Sequence, residues 1–404
     1  MINHNPKNEI EQLQRILSSP LKKIGFLFGA GISMQKTDGA DLIIGMDDVV
    51  TKDSGGNEII LKKGMTSRAT EGFSAPQKEA IVKMRVEIEK ESKKFNIENL
   101  LSKISEKERA ANDEKLCGLL KEELKKLRLD IENKIKEIVS VHVGSDKIDI
   151  EKTNHNTFAK WVKNADREFP VEVFTTNYDY LLELALEKQQ IPYFDGFIGS
   201  YEAFFCPEWI EADSPVKDWT KLWKLHGSLG WDQNNNKEII RTSGAAGKAM
   251  IYPSFLKYDH SKKQPYLSYM DRLSYFLRQE DSVLFVCGYS FGDEHINEMI
   301  LTSLTRSRSS QIFVFKKGEL KEEDLLFQEI AQKNSQISVY AKKSAVVGCK
   351  LGDWKLPSKE AQICYYKEDK LKTADDWDGK GELLLGNFKD FTDFLSDFYK
   401  KNNG

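Results

Sequence analysis

The sequence has no long apolar run. Across its 404 residues, no segment approaches the roughly 20 consecutive apolar residues that a membrane-spanning helix requires. The N-terminal segment MINHNPKNEIEQ is polar and lacks the apolar core of a signal peptide. We therefore expect a cytoplasmic protein with no membrane-embedded part.

Cysteines are few and scattered. The five of them occupy positions 117, 206, 287, 349 and 364, and no two form a CxxC pair. This spacing supports neither a zinc ribbon nor a disulfide framework. Free thiols are typical of a reducing compartment, and we expect no metal site.

The sequence also lacks a strong excess of either charge. Its formal net charge is -3, with 30% charged and 40% hydrophobic residues. This balance is typical of globular proteins and gives no overall attraction to nucleic acid or to an anionic membrane. The length favours two or three domains, and we expect no direct binding of nucleic acid.

Close to the N-terminus, a strand runs into a glycine turn. Residues Lys23–Phe28 form a short, mostly apolar run, which is typical of a strand buried on both faces of a parallel sheet. The motif GAGIS follows at residues 29–33, and its glycines allow a sharp turn and close approach of a ligand. A helix beginning near Ile32 or Ser33 would direct its N-terminal N–H groups at that ligand, which suits a pyrophosphate.

Two segments then interrupt the strand pattern. Residues 36–64 are polar and punctuated by glycine, which favours either a cleft wall or lid, or a mobile surface loop. Residues 77–141 are rich in charge, with apolar residues every three or four positions. This pattern predicts helices at 79–94 and 96–104, and the stripe from Leu116 to Ile138 predicts one long amphipathic helix. The charges favour a solvated face over a coiled-coil interface.

The alternation of helices and strands resumes near Asn154. Further strands are predicted at 171–174, 222–225, 282–287, 311–315 and 336–340, and further helices at 8–17, 157–167, 180–188 and 388–399. Including the first strand, four strands end in glycine, Asn/Asp, His or Ser. Ligands of open α/β sheets bind beyond the C-terminal ends of the strands, so these endings predict a ligand site.

Several motifs together resemble a known family. The chain resembles the bacterial sirtuin-like NAD-hydrolase family of anti-phage defence more closely than it resembles the protein deacetylases. The motifs that carry this resemblance are GAGIS at 29–33, TTNYD at 175–179, LHGS at 225–228 and GYSFGDEHIN at 288–297, with IYPS at 251–254 and KY at 257–258 before the last one.

The resemblance implies an α/β fold, a Rossmann-like doubly wound parallel sheet with an inserted helical subdomain and a small C-terminal appendage. The implied domains are a sirtuin-like NAD-binding catalytic domain at 1–66 and 142–347, the helical subdomain at 67–141 and the appendage at 348–404.

The resemblance also implies which residues bind NAD. Main-chain donors of the first glycine loop and the hydroxyl of Ser33 would hold the pyrophosphate. Residues of the late motif would meet the phosphates or the adenosine ribose. The NAD-binding residues implied in this way are Gly29, Ala30, Gly31, Ser33, Thr176, Gly288, Ser290 and Asp293.

Three further residues would act on the nicotinamide–ribose bond, whose cleavage develops positive charge on the sugar. Asn177 would bond the ribose or hold the attacking water. Asp179 would orient Asn177 or stabilise the cationic sugar, or else serve only as a helix N-cap. His226 would remove a proton from water or a ribose hydroxyl, the alternative being a plain buried histidine. His295 is expected to be structural.

Two features of protein deacetylases are absent from the sequence. Residues 232–249, which follow His226, contain no cysteine, so the paired-cysteine zinc module is missing. The Pro-Asp-Phe-Arg segment expected after the glycine loop is also missing. An acyl-lysine groove is therefore not expected, and water becomes the natural nucleophile. The alternatives to NAD hydrolysis are a non-catalytic NAD or ADP-ribose binding module, and a deacylase or ADP-ribosyltransferase.

The resemblance implies partners as well. Proteins of this group are commonly abortive-infection effectors that deplete NAD and are held inactive by oligomer assembly or by a partner. The resemblance therefore implies a homo-oligomer. Because the chain has little sequence beyond the sirtuin-like part, it resembles the NAD-cleaving subunit of two-component systems, which implies a HerA-type ATPase partner.

Overall fold

The computed structural model describes residues 2–402 except for fourteen stretches, which are 35, 38–39, 46–47, 53–57, 92–94, 113, 144–146, 212–215, 237, 243–263, 308, 322–324, 360–362 and 370–376.

 The motif residues 251–254 and 257–258 lie outside the described residues, as do Gly55 and Gly56 of the irregular segment.

The described residues form a large, mostly parallel sheet. Its strands in chain order are β1 (Asn3–His4), β2 (Lys23–Phe28), β3 (Glu172–Thr175), β4 (Tyr193–Phe194), β5 (Thr220–Lys224), β6 (Ser282–Cys287), β7 (Gln311–Phe315), β8 (Ile337–Tyr340), β9 (Ser344–Val347) and β10 (Lys350–Trp354). Their order across the sheet is β1-β10-β9-β8-β7-β6-β2-β3-β5-β4. Only β9 runs antiparallel to its neighbours among these strands. The expected fold class, a Rossmann-like doubly wound sheet, is confirmed.

The register of the central strands brings their C-terminal ends level. Phe28 at the end of β2 pairs with Thr175 on one side and with Cys287 on the other. Thr175 in turn pairs with Lys224, the last residue of β5. The loops that follow β2, β3, β5 and β6 therefore leave the sheet at one edge, around the point where the chain order reverses. That edge is where open α/β sheets bind ligands.

Helices cover both faces of the sheet. The helices are α1 (Pro6–Ser18), α2 (Met65–Ala69), α3 (Ala75–Lys90), α4 (Ile97–Ala110), α5 (Lys121–Val139), α6 (Asn154–Asn164), α7 (Leu181–Lys188), α8 (Glu208–Glu211), α9 (Tyr266–Arg278), α10 (Glu294–Thr305), α11 (Leu325–Lys333) and α12 (Phe388–Asn402). Within the described part of the chain, none of them has both the length and the apolar content of a membrane span.

The alternation of side chains along β2 explains the two layers. Phe26 and Phe28 point to one face, where both contact Phe158 of α6, with ring centroids 5.0 and 5.1 Å apart. Leu27 points to the other face, into the core that α9, α10 and α11 cover. Burying one such side chain stabilises the fold by about 1.5–3 kcal/mol, which is why this apolar run becomes a central strand.

The inserted helices α2 to α5 share an apolar core that also contains Leu181 and Leu229. Leu124, Leu127 and Ile131 of α5 are fully buried in it, as their spacing predicted. The prediction of a single long helix beginning near Leu116 was wrong, because the chain reverses at Cys117 and Gly118. Both residues have positive φ, and Leu116 and Leu119 exchange main-chain hydrogen bonds across the turn. The helix therefore begins only at Lys121.

The C-terminal part is more closely joined to the sheet than an appendage would be. Strand β10 lies within the main sheet, between β1 and β9. Helix α12 packs against α6, and its Phe391 ring lies 4.9 Å from that of Phe315 in β7. The boundaries at residues 66, 141 and 347 stay predictions.

Candidate functional site

A cavity of about 470 Å³ opens at the C-terminal edge of the sheet. Every predicted site residue except Gly29 lines it. Its polar wall, as we call it, consists of Ser33, Thr176, Asn177, Asp179, His226, Ser290 and Asp293. The structure thus brings the predicted residues together, while their assignment as catalytic or NAD-binding residues stays a prediction.

Three glycines let two of the loops touch through their backbones. A Cβ atom on Gly29 would lie 2.5 Å from the carbonyl oxygen of Gly288, and one on Gly31 would lie 2.6 Å from its Cα. The N–H of Gly31 donates to the carbonyl of Gly288 at 2.9 Å, and that of Gly29 donates to Cys287 at 3.2 Å. Glycine is needed here because any side chain would separate the loops.

These hydrogen bonds use two of the main-chain N–H groups of the first glycine loop. The N–H groups of Gly29 and Gly31 donate to main-chain carbonyls within the protein. The predicted role of this loop in binding a pyrophosphate stays a prediction. Near Ile32 and Ser33, where the sequence left the start of a helix open, the structure has a 3-10 turn at Ala30–Ile32. The hydroxyl of Ser33 is part of a side-chain network.

Asn177, Ser33 and Asp179 form this network. The amide Nδ2 of Asn177 donates to Oγ of Ser33, which donates to Oδ2 of Asp179, and both distances are 3.0 Å. The other carboxylate oxygen, Oδ1, accepts the N–H of Leu181, the first residue of α7, at 3.0 Å. The N-cap position of α7 is Tyr180, so Asp179 is not the N-cap residue; its carboxylate bonds the start of the helix and, through Ser33, the amide of Asn177.

His226 is held by a carboxylate from the late motif. Its Nε2 lies 3.0 Å from Oδ2 of Asp293, and Oδ1 of Asp293 accepts the N–H groups of His295 and Ile296 at the start of α10. When the imidazole is neutral, donation from Nε2–H leaves Nδ1 as the proton acceptor. His226 is therefore an oriented imidazole at the cavity. His295 does not line the cavity within the described residues.

Lys224, which sequence reasoning missed, lies beneath these loops. It is buried, and its Nζ donates to Oε1 of Glu183 at 2.5 Å, to Oγ of Ser228 at 3.2 Å and to the carbonyl of Asp179. Burial raises the pKa of the Glu183 carboxyl, and Lys224 opposes that rise. The lysine joins the loop that carries Asn177 to the loop that carries His226. Its only signal in the sequence is a cation inside the strand two residues before His226.

The opposite side of the cavity is apolar and comes mostly from the inserted helices. This apolar wall consists of Met34, Ile43, Ile44, Met65, Ile97, Ile135 and Val139. Ile43 and Ile44 belong to the irregular segment after the glycine loop, so the cleft-wall interpretation holds for them. The helical stripe predicted that Ile135 is buried, but it did not indicate that α5 borders a ligand site.

The charges around the cavity are unevenly distributed. Its described lining contains the carboxylates of Glu98, Asp179 and Asp293, and no lysine or arginine. A smaller cavity of about 130 Å³ adjoins it, shares Gly31, Gly288 and Ser290, and is lined also by Lys316 and Lys317. Cationic groups of a ligand are therefore favoured in the large cavity and anionic groups towards the small one.

The comparisons with known proteins agree with this geometry. Residues 171–340 match the SIR2-like domain family. The match contains Asn177, His226 and Asp293, and it supports a sirtuin-like family and an enzyme that acts on NAD. The chain gives no match among curated proteins. Within the described residues, no cluster of three or more His, Cys, Asp or Glu side chains is placed to hold a metal ion.

Proposed function

We propose that this chain is an NAD glycohydrolase that cleaves NAD to nicotinamide and ADP-ribose. The observation that carries the proposal is the convergence of an oriented amide and an oriented imidazole on one cavity. Ser33 and Asp179 hold Asn177, and Asp293 holds His226. A module that only binds NAD has no need of a base beside the labile bond.

The proposed reaction breaks the bond between the nicotinamide nitrogen and C1′ of the ribose. The bonding electrons leave with nicotinamide, which becomes neutral, and positive charge develops on the ribose. Asn177 holds a water molecule at C1′, and Nδ1 of His226 accepts the proton that this water loses as its oxygen bonds to C1′. Asp293 stabilises the resulting imidazolium. NAD and water give nicotinamide, ADP-ribose and one proton.

The uneven distribution of charge around the two cavities favours one orientation of the bound substrate. The nicotinamide ring of NAD is cationic and its pyrophosphate is anionic. We therefore place the nicotinamide ribose in the large cavity, beside Asn177 and His226, and direct the adenosine end towards the small cavity and Lys317.

Nicotinamide release from NAD tests the proposal. The purified wild-type chain is expected to release nicotinamide. In His226→Ala and in Asn177→Ala, the rate of release is expected to be lower by about 100-fold or more, which is the usual contribution of a positioned base. His4→Ala is the matched control, because His4 lies on β1 at the far edge of the sheet.

Other results would redirect the assignment. Tight NAD binding without turnover, in the presence of every candidate partner, would make the chain a binding module. Turnover that requires an acyl-peptide or a protein acceptor would make it a deacylase or an ADP-ribosyltransferase.

We further propose that the chain acts as an abortive-infection effector of anti-phage defence, as a homo-oligomer with a HerA-type ATPase partner. The sequence resemblance supports this part of the proposal. Co-expression with such an ATPase is expected to give a co-purifying complex and a change in nicotinamide release, and two independently eluting proteins with unchanged activity would refute it.

A further inference from the structure

We infer that Glu98 of the helical insertion is a substrate-binding residue that faces the cationic nicotinamide ring. This inference rests on the proposed function and deepens it. Through Glu98, the helical insertion becomes part of the substrate site and helps to select the charged, oxidised form of the dinucleotide.

The backbone around Glu98 is fixed at the cavity. Glu98 is the second residue of α4, and it lines the cavity together with Ile97. The side chain of Asn96 caps the helix by accepting the N–H of Asn99 at 2.8 Å. The N–H of Ile97 donates to Oγ1 of Thr66 in α2 at 2.9 Å, which ties this first turn to the neighbouring helix. Glu98 is therefore held at the cavity by an anchored helix end.

The carboxylate of Glu98 has no hydrogen bond or ion pair with the part of the chain that the structure describes. Other acids of the insertion differ in this respect. Glu108 and Glu132 both pair with Arg128, at 2.7 and 2.8 Å, and Glu87 pairs with Lys107 at 2.7 Å. The acid that faces the cavity is thus one that the insertion leaves without a cation of its own.

The charges of NAD determine which part of it this carboxylate can face. A carboxylate beside the pyrophosphate would be repelled, since the described lining of the cavity has no lysine or arginine to separate the two. A carboxylate beside the pyridinium ring is attracted to it. Ile97, Ile135 and Val139 next to Glu98 provide apolar contact for the face of the same ring.

A comparison of the affinities for NAD and for NADH separates this charge effect from every other contact, because NADH carries an uncharged dihydronicotinamide ring. We would measure dissociation constants of NAD, NADH and ADP-ribose by calorimetry on the full chain. The parent variant is His226→Gln, which prevents turnover under the proposed function and keeps a donor for Asp293. The test variant adds Glu98→Gln, and the control adds Glu122→Gln, whose side chain is 82% exposed.

Glu98→Gln is expected to weaken NAD binding about tenfold, or about 1.4 kcal/mol, and to leave NADH and ADP-ribose binding unchanged. The control is expected to change none of the three. Equal weakening of all three ligands, or no weakening of NAD, would overturn the role of Glu98. If the parent binds neither NAD nor ADP-ribose, the proposed function itself fails, and the inference fails with it.

Discussion

Nε2 of His226 and Oδ2 of Asp293 are 3.0 Å apart, although 67 residues separate them in the sequence. The other oxygen of the same carboxylate caps α10 through the N–H groups of His295 and Ile296. One side chain therefore has two separable tasks, and substitutions can remove them one at a time.

Asp293→Asn should keep the helix cap and remove the negative charge beside His226. Asparagine caps helices as well as aspartate does, so the free energy of unfolding should change little. The rate of nicotinamide release should fall about 100-fold, because the imidazolium loses its counter-charge. Asp293→Ala should show the same fall in rate and an additional loss of about 1 kcal/mol of stability. Equal stability of the two variants, measured by urea unfolding, would contradict the capping role.

Lys224→Met should destabilise the fold by about 3–5 kcal/mol, because it leaves the Glu183 carboxylate buried without its cation. The loss should depend on pH with a definite sign. Burial raises the pKa of Glu183, and removing Lys224 takes away the main opposing influence. The Glu183 carboxyl of the variant is then protonated more readily as the pH falls, so the loss should be smaller at pH 5 than at pH 8. Adding Glu183→Gln should recover part of it.

A loss that is the same at both pH values would show that the cost of Lys224→Met comes from packing alone. Arg278→Met is a suitable control, since the Arg278 guanidinium is not part of a buried ion pair in the described structure.

His155 should make the stability of the protein fall in mild acid. Burial lowers its pKa from 6.5 to about 4. The unfolded chain therefore binds a proton between these values that the folded chain does not, and stability is lost as pH falls from 6.5 to 4. A shift of this size corresponds to about 3 kcal/mol. In His155→Leu, the slope of unfolding free energy against pH should be shallower than that of the wild type over this range, and an unchanged slope would contradict the role of His155.

Gly31→Ala should push the first glycine loop away from the late motif, because the new Cβ would lie 2.6 Å from the Cα of Gly288. We expect a loss of about 1–3 kcal/mol in stability, as for other overpacked sites, together with loss of nicotinamide release. Gly318→Ala is the matched control, since its Cβ would meet nothing within 4 Å. Thermal unfolding of the two variants checks the difference, and equal melting temperatures would count against the close contact.

Local patterns were enough to find the central strands. The apolar runs of β2 and β6 are buried on both faces, and such runs have few alternatives to a parallel sheet. Because parallel strands share one C-terminal edge, the residues after them could be grouped in advance. The pairing of His226 with Asp293 could not be predicted, since nothing in a single sequence indicates which side chains of that group bond to each other.

Long-range packing and one local turn account for the remaining differences between the predictions and the structure. The stripe on α5 indicates that Ile135 faces apolar surroundings, but not that those surroundings include a cavity of the sheet. Gly118 lay inside an otherwise helical pattern, and only its positive φ reveals the turn. The strand Lys350–Trp354 is too polar to be predicted as part of a buried sheet, and it is recognised by its pairing with β1 and β9.

The double use of Asp293 links the base to the position of a whole helix. Its carboxylate is fixed to the first turn of α10, so a displacement of that helix relative to the sheet carries the imidazole of His226 with it. A protein that binds the outer surface of α10 and shifts this helix would thereby change proton transfer at His226 without contacting the cavity.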